Sequence, residues 1–598
     1  MKAIFITSVI FLFFSNGFVL AQDQPVGPTL IKTGTYHGLS QPLRDLPVMS
    51  QQEQEAMWKK NKENPNNEGL QFREYPFSAT ALPKGPDPVW QKTATFSDET
   101  RTTQLNYNGS QIGSNPPDPC GDVGPNHYFH AYNAAYVIYD KAGNILAGPT
   151  DLNLIFGNVA GSNCNSGDPI ILYDEQADRW VVIEFSLCNA NDYVLVAVSQ
   201  TSDPTGAFYQ YSFDTDEVPD YEKVGVWRDG YYMATNTSGT GHDIYVMERS
   251  VMLAGGASPD LVRFDNPWRP ISIDGFMCVP PVDNDGTFAP SGSPGLFIAF
   301  NDDAIGGGSD QIWIYELLVN WVYPANSSFT RSQMINVAAF NSNFGLTWDN
   351  IAQPNTSQEL DAVPAVIMNA PQYRNFGTYQ TIVCCHTVDV DNTDHAGIRW
   401  YELRRTNGNW SIRQQGTYAP DAHSRWMASI RLNNFNEIGL GYSISSSTVY
   451  PGIRYCGQDA DEYALASGVM NVAETTIVTG AYSQTGSRRW GDYSSLNVDP
   501  KDDQSFWYTN MHVLSDNATK QTVIASFRLS PLVIYVDKTA AAGGDGTAAH
   551  PFNNVTEAVN HATNETIISI KANTYDEPPV LFDIKGMVKA TNGSAIIK

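Results

Sequence analysis

Residues 489–510, RWGDYSSLNVDPKDDQSFWYTN, decide the fold. They read as a strand over 492–498, a polar turn over 499–503 and a second strand over 505–510. Proline and clustered aspartates are turn chemistry, and the flanking Tyr, Phe, Trp and Val favour a pleated, half-buried backbone.

The same unit, a polar turn running into an aromatic strand, recurs along the chain. Its copies begin at Asp122, Tyr173, Val226, Val282, Met368, Arg431 and Val498. A second series of alternating aromatic and aliphatic strands follows in phase: AYVIYD from Ala135, FYQYSF from Phe208, DIYVMER from Asp243, QIWIYEL from Gln311, GIRWYEL from Gly397, PGIRY from Pro451 and TVIASFRL from Thr522. Most spacings between copies lie a little above the ~40–50 residues of a four-stranded propeller blade. Radial stacking lets each blade bury its faces on its neighbours. The expectation is an all-β chain with a seven-bladed β-propeller over 101–530, with six blades as the alternative.

Two resemblances accompany this reading. PPDPCGDVGPNHYFHAYN, YRNFGTYQTIVCCHTVDV with HAGIRWYELR, and the 489–510 stretch resemble a family of large secreted bacterial propeller proteins of no assigned activity. That resemblance implies the fold and secretion and carries no catalytic residues. Segment 531–598 resembles the opening rungs of right-handed parallel β-helices of the pectate-lyase-like kind. The matching points are Tyr535-Val536-Asp537, Gly544-Asp545-Gly546-Thr547, His550-Pro551-Phe552 and Asn573-Thr574-Tyr575. It implies a cap helix over 555–562 and short strands at 567–571, 580–582, 588–590 and 595–597.

Residues 1–21 have the charged start, short apolar core and Val19-Leu20-Ala21 ending of a secretory signal peptide. Their apolar run is shorter than the ~20 residues that span a bilayer, and no transmembrane segment is expected after cleavage. Residues 22–100 form a polar, Pro-rich lead-in, read as a tail draped over the propeller, with Ser50 and Glu53 spaced as a capping box. A cleaved pro-segment is the alternative for this lead-in.

The formal net charge is −27, which repels nucleic acid. Seven cysteines in an oxidising compartment permit disulfides, and Cys164 with Cys188, flanking one hairpin, are the candidate pair.

Calcium is the cofactor that the acidic loops point to, because a hard cation takes six to eight oxygens from turning backbone. The candidate ligands are Asp283 and Asp285 in one loop, and Asp389, Asp391 and Asp394 in another. Ordinary aspartate turns are the competing explanation. Arg-Trp pairs at 179–180, 399–400, 425–426 and 489–490 suit either packing or a glycan-gripping rim.

Asp122, Asp168, Arg489 and Asp492 lie at or near the starts of inner strands and are the candidates for the propeller funnel. The expected function is a non-catalytic extracellular module that binds a glycan or a surface protein, or builds a cell-surface assembly. The alternative is a glycoside hydrolase or polysaccharide lyase acting at the funnel.

Overall fold

The computed structural model describes residues 23–55, 85–94, 103–113, 116–159, 162–187, 192–236, 243–268, 277–344, 349–364, 366–514, 519–548, 550–562, 566–583 and 586–598. The signal-peptide segment and Cys188 lie outside these residues.

The 489–510 stretch folds as a hairpin. Ser495–Val498 pairs antiparallel with Phe506–Val513, in the register Leu496 opposite Tyr508 and Val498 opposite Phe506. The turn aspartates hold it shut: Asp502 accepts the amides of Gln504 (3.0 Å) and Ser505 (2.8 Å). Asp499 takes Lys141 Nζ at 2.6 Å and the Trp507 indole N–H at 3.1 Å. All three turn acids thus have structural work, since Asp503 pairs with Arg374.

Repetition of this unit builds a ring. Its strands are β1 (Cys120–Val123), β2 (Ile170–Asp174), β3 (Lys223–Val226), β4 (Asp283–Asp285), β5 (Gln372–Asn375), β6 (Ser424–Leu432) and β7 (Ser495–Val498). Each packs beside the next, and β7 packs back on β1. Apart from β4, each begins a sheet of four or more strands that runs outward through antiparallel neighbours.

Among the described residues, six sheets therefore carry the ring, and the expectation of seven equal blades is corrected. The copy beginning at Val282 does not build its own four-stranded sheet. Its β4 pairs in parallel with β5, Asp283 opposite Gln372, and so joins the next sheet. The strands Gly295–Asn301, Gln311–Leu318 and Ser328–Asn336 remain as a three-stranded sheet beside it.

Both faces of the middle strands are covered, so these strands read as near-continuous apolar runs. Arg179–Ser186, RWVVIEFS, is buried from Trp180 onward. All four tryptophans of the Arg-Trp pairs, Trp180, Trp400, Trp426 and Trp490, are completely buried, so the indoles serve packing.

The lead-in is woven into the sheets rather than draped over them. Leu30–Thr33 pairs with Asp260–Phe264, Thr35–Leu39 with Phe208–Asp214, and Trp90–Gln91 in parallel with Ser411–Tyr418. Each covers an outer edge that would otherwise expose a row of unpaired backbone groups. Leu105–Ile112 is the fourth strand of the last sheet, on Lys520–Phe527, and ties the two ends of the propeller sequence together. The Ser50–Glu53 capping box forms, with Ser50 N donating to Glu53 Oε2 at 2.7 Å and Glu53 N donating to Ser50 Oγ at 3.3 Å.

After the propeller, Val533–Val536, Ile567–Lys571 and Met587–Thr591 form a parallel ladder, and Thr574–Tyr575 pairs in parallel with Ile596–Ile597. Helix Val555–His561 is capped by Asn554, which accepts the Glu557 amide at 2.8 Å. The strand expected over 580–582 does not form. That segment follows Pro578-Pro579 and lies on the surface. Proline supplies no ladder donor. No helix among the described residues is long and apolar enough to cross a membrane.

Candidate functional site

The loops that enter the ring strands bring acids from distant repeats to one end of the ring. Asp118 lies two residues before β1, Asp168 two before β2, Tyr221 two before β3 and Asp492 three before β7. Their φ angles are 47°, 51°, 57° and 69°. Non-glycine residues held in this left-handed region cost free energy and cluster where function constrains the backbone.

Asp118 is buried and accepts Asn133 Nδ2 at 2.6 Å. Its amide donates to Gly491 O at 3.0 Å, joining the loop before β1 to the loop before β7. Asn133 Oδ1 in turn accepts the Asp168 amide at 3.0 Å. Arg489 forks onto Asp492, Nε to Oδ1 at 3.0 Å and Nη2 to Oδ2. Tyr221 donates its hydroxyl to Asp492 O at 3.1 Å. Lys223 Nζ sits 3.5 Å over the Tyr221 ring and 4.1 Å over the Tyr493 ring, and donates to Glu222 O at 3.0 Å. Asn236 Nδ2 donates to Asp220 Oδ2 at 3.1 Å.

Asp168 is the shared neighbour of this group. Burial first, then the adjoining Asp168 carboxyl within hydrogen-bond reach, push the Asp118 carboxyl well above the usual range. Burial and Asp168 likewise raise Asp220 to about 6. Burial, then Asp168, raise Glu222 strongly against the pull of Lys223.

Several of these groups lack partners. Glu222 is fully buried, and neither of its carboxyl oxygens bonds to any other described residue. Asp118 Oδ1 meets no donor, and Arg489 Nη1 no acceptor. A buried polar atom left unpaired costs ~1–3 kcal/mol. The cluster therefore offers unspent hydrogen-bonding capacity around partly open Asp168, Asp220 and Arg489. It holds one buried acid of raised proton affinity beside a second carboxyl, together with two cations already engaged by tyrosine rings and by Asp492.

Three of the four funnel candidates, Asp168, Arg489 and Asp492, thus come together. Asp122 does not, and that assignment is corrected. Its side chain caps the backbone within the ring, Oδ1 accepting the Val123 amide at 2.7 Å and Oδ2 the Tyr173 amide at 2.7 Å. The sequence reading also missed Asp118, Asp220 and Glu222. A signal was present for the first: Asp118-Pro119 and Asp168-Pro169 are Asp-Pro steps in the same position before a ring strand.

The calcium candidates all have protein partners. Asp283 and Asp285 face Arg431, at 3.6 Å and 3.4 Å, and Asp285 also accepts Gln372 Nε2 at 2.5 Å. The Arg431 guanidinium thus lies beside both carboxylates. Burial and Asp285, opposed by Arg431, raise Asp283 to about 7. Asp389 spends its carboxylate on the amides of Asp391, Asn392 and Asp394 at 3.0–3.2 Å, and Asp391 accepts Thr393. That loop is an aspartate turn. Cys164 is disulfide-bonded, and Cys120, Cys278, Cys384, Cys385 and Cys456 are free and buried.

No family model and no curated protein matches the chain. Among solved structures it is similar to the extracellular domains 1–2 of Drosophila semaphorin 1b, at 8% identity over 72% of this chain and 88% of that one, TM-score 0.36. It is also similar to an ulvan lyase of a polysaccharide lyase family, at 11% identity over 73% and 94%, TM-score 0.35. A protein of unknown function from Dyadobacter fermentans shows 11% identity over 60% and 93%, TM-score 0.31. At such TM-scores these likenesses do not bear on what the chain does.

Proposed function

We propose that this chain is a secreted propeller that binds a glycan, without transforming it, at the end of the ring where Asp118, Asp168, Asp220, Glu222 and Arg489 meet. The observation that carries this reading is the set of buried, unpartnered polar atoms on Glu222, Asp118 and Arg489. Sugar hydroxyls both donate and accept, and so can complete carboxyls and a guanidinium edge together.

The charge balance favours a neutral sugar over a uronate. Arg489 is already forked onto Asp492, and Lys223 is held between two tyrosine rings. Neither cation is free to form a bidentate pair with a ligand carboxylate. Secretion rests on residues 1–21. The parallel registers after residue 532 support reading 531–598 as β-helix rungs.

Calorimetric titration of the mature protein with neutral and uronic oligosaccharides tests the reading. A neutral oligosaccharide is expected to bind, and Asp168→Asn to weaken it tenfold or more, about 1.4 kcal/mol. Absence of binding across the panel, or wild-type affinity in Asp168→Asn, refutes it.

A second reading has one observation behind it, the buried Asp118 carboxyl, its proton affinity raised, beside the Asp168 carboxyl. Such a pair suits general acid–base work. Release of new reducing ends by the wild type, lost in Asp168→Asn, would make the chain a glycoside hydrolase, or a polysaccharide lyase if unsaturated ends appear with them.

A further inference from the structure

We infer that the hairpin loop 302–310, between strands Gly295–Asn301 and Gln311–Leu318, is a calcium site built from Asp302, Asp303, Asp310 and Asn301. Carboxylate oxygens of the three aspartates lie within 4.8 Å of one another, and no other such group occurs among the described residues. They are brought together by a nine-residue loop, DDAIGGGSD, whose Gly307 (φ 71°) and Gly308 (φ 75°) reverse the chain. The loop orients the acids through backbone bonds. Asp302 Oδ1 accepts the Ala304 amide at 2.8 Å, and Asp310 Oδ1 accepts the Asp303 amide at 2.8 Å. The segment opposite supplies Ser342, whose N and Oγ donate to Asp302 Oδ2 at 2.7 and 2.8 Å, and Phe340, whose N donates to Asp310 Oδ2 at 2.8 Å.

A second observation points to a ligand. Asn301, 2% exposed, has its amide folded inside the same loop, with Nδ2 donating to Gly307 O and Ser309 O, both at 2.9 Å. Those two bonds fix which end is nitrogen, and they leave Oδ1 buried with no donor. Asn343 Oδ1, one residue beyond Ser342, is likewise buried without a donor. Carboxylate and amide oxygens on a turning backbone form the donor set of a hard cation. Carboxylates that already accept amide hydrogens keep further lone pairs for it. The site adjoins the 389–394 aspartate turn, since Asp389 N donates to Asn341 O and Asn341 Nδ2 to Asn392 Oδ1, both at 2.8 Å. The test must therefore separate the two loops.

Calcium is titrated into the EDTA-stripped mature protein by calorimetry, alongside Asp303→Asn, Asp391→Asn and Asp394→Asn. The expected result is one calcium per chain, a tenfold or greater loss of affinity in Asp303→Asn, and wild-type affinity in the other two. Hydrogen exchange of the wild type, with calcium against EDTA, gives a readout that needs no variant. Protection is expected in peptides covering 301–310 and 340–344. No binding at millimolar calcium, undiminished binding by Asp303→Asn, or loss and protection confined to 389–394 would each overturn the inference. Glycan binding is measured separately, so failure here leaves the ring-end reading untouched.

Discussion

At the scale of single residues, Asp168 governs the titration of its neighbours. Asp220 is held at about 6, first by burial and then by Asp168, against an ordinary value of 3.8. An acid whose folded-state value is raised binds more protons in the folded chain than in the unfolded one between those two values. Its contribution is therefore most favourable below about 4 and is lost as pH rises through about 6. Asp220→Asn retains an oxygen for Asn236 and removes the titration. Urea melts at stepped pH are expected to show a shallower fall in stability between pH 4 and 6 in that variant than in the wild type. An identical slope would place the perturbed proton elsewhere. Sequence reasoning reached Asp168, Arg489 and Asp492 because each stands beside a readable aromatic strand. It did not reach Asp220 or Glu222, since acids contributed by separate loops have no spacing in the linear chain. It did not foresee that Asp283 faces Arg431, because a D-N-D-G turn carries no record of the side chain across from it.

At the scale of elements, the second repeat series was legible throughout. All seven of its segments are strands, from Ala135–Asp140 to Lys520–Phe527, because alternating aromatic and β-branched residues admit few other conformations. What remained hidden was pairing. That β4 joins β5, Asp283 opposite Gln372, depends on a parallel register between segments far apart in the chain. The lead-in also looked like a tail because its strands are short and polar. It is pinned by Asp87, which takes Arg399 Nη2 and Thr417 Oγ1, both at 2.7 Å, with Arg399 fully buried. Removing one partner of a buried pair strands the other charge, at a cost of ~3–5 kcal/mol. Asp87→Ala is expected to lower the denaturation midpoint accordingly, with Asp45→Ala, an exposed lead-in acid, as the unaffected comparison.

At the scale of the whole molecule, the segment after residue 532 has a core of its own, made by Ile534, Val536, Phe552, Val555, Ile568, Ile570 and Tyr575. Ending the chain at Ser530 keeps Leu529, which packs in the last propeller sheet. Calorimetry of that shortened chain is expected to retain the propeller transition within a few degrees. A large drop would mean that the two cores are thermodynamically one. The propeller itself has no such independence from its beginning, because its last sheet is completed by Leu105–Ile112. Ser110, in that strand, donates to a residue 412 positions later. A ribosome adds ~5–20 residues per second, so about 20–80 seconds separate the synthesis of the closing strand from that of its partner. Through that interval a strand edge waits unpaired, open to wrong partners. A chain built this way depends on whatever shields residues 105–112 until its last sheet has been made.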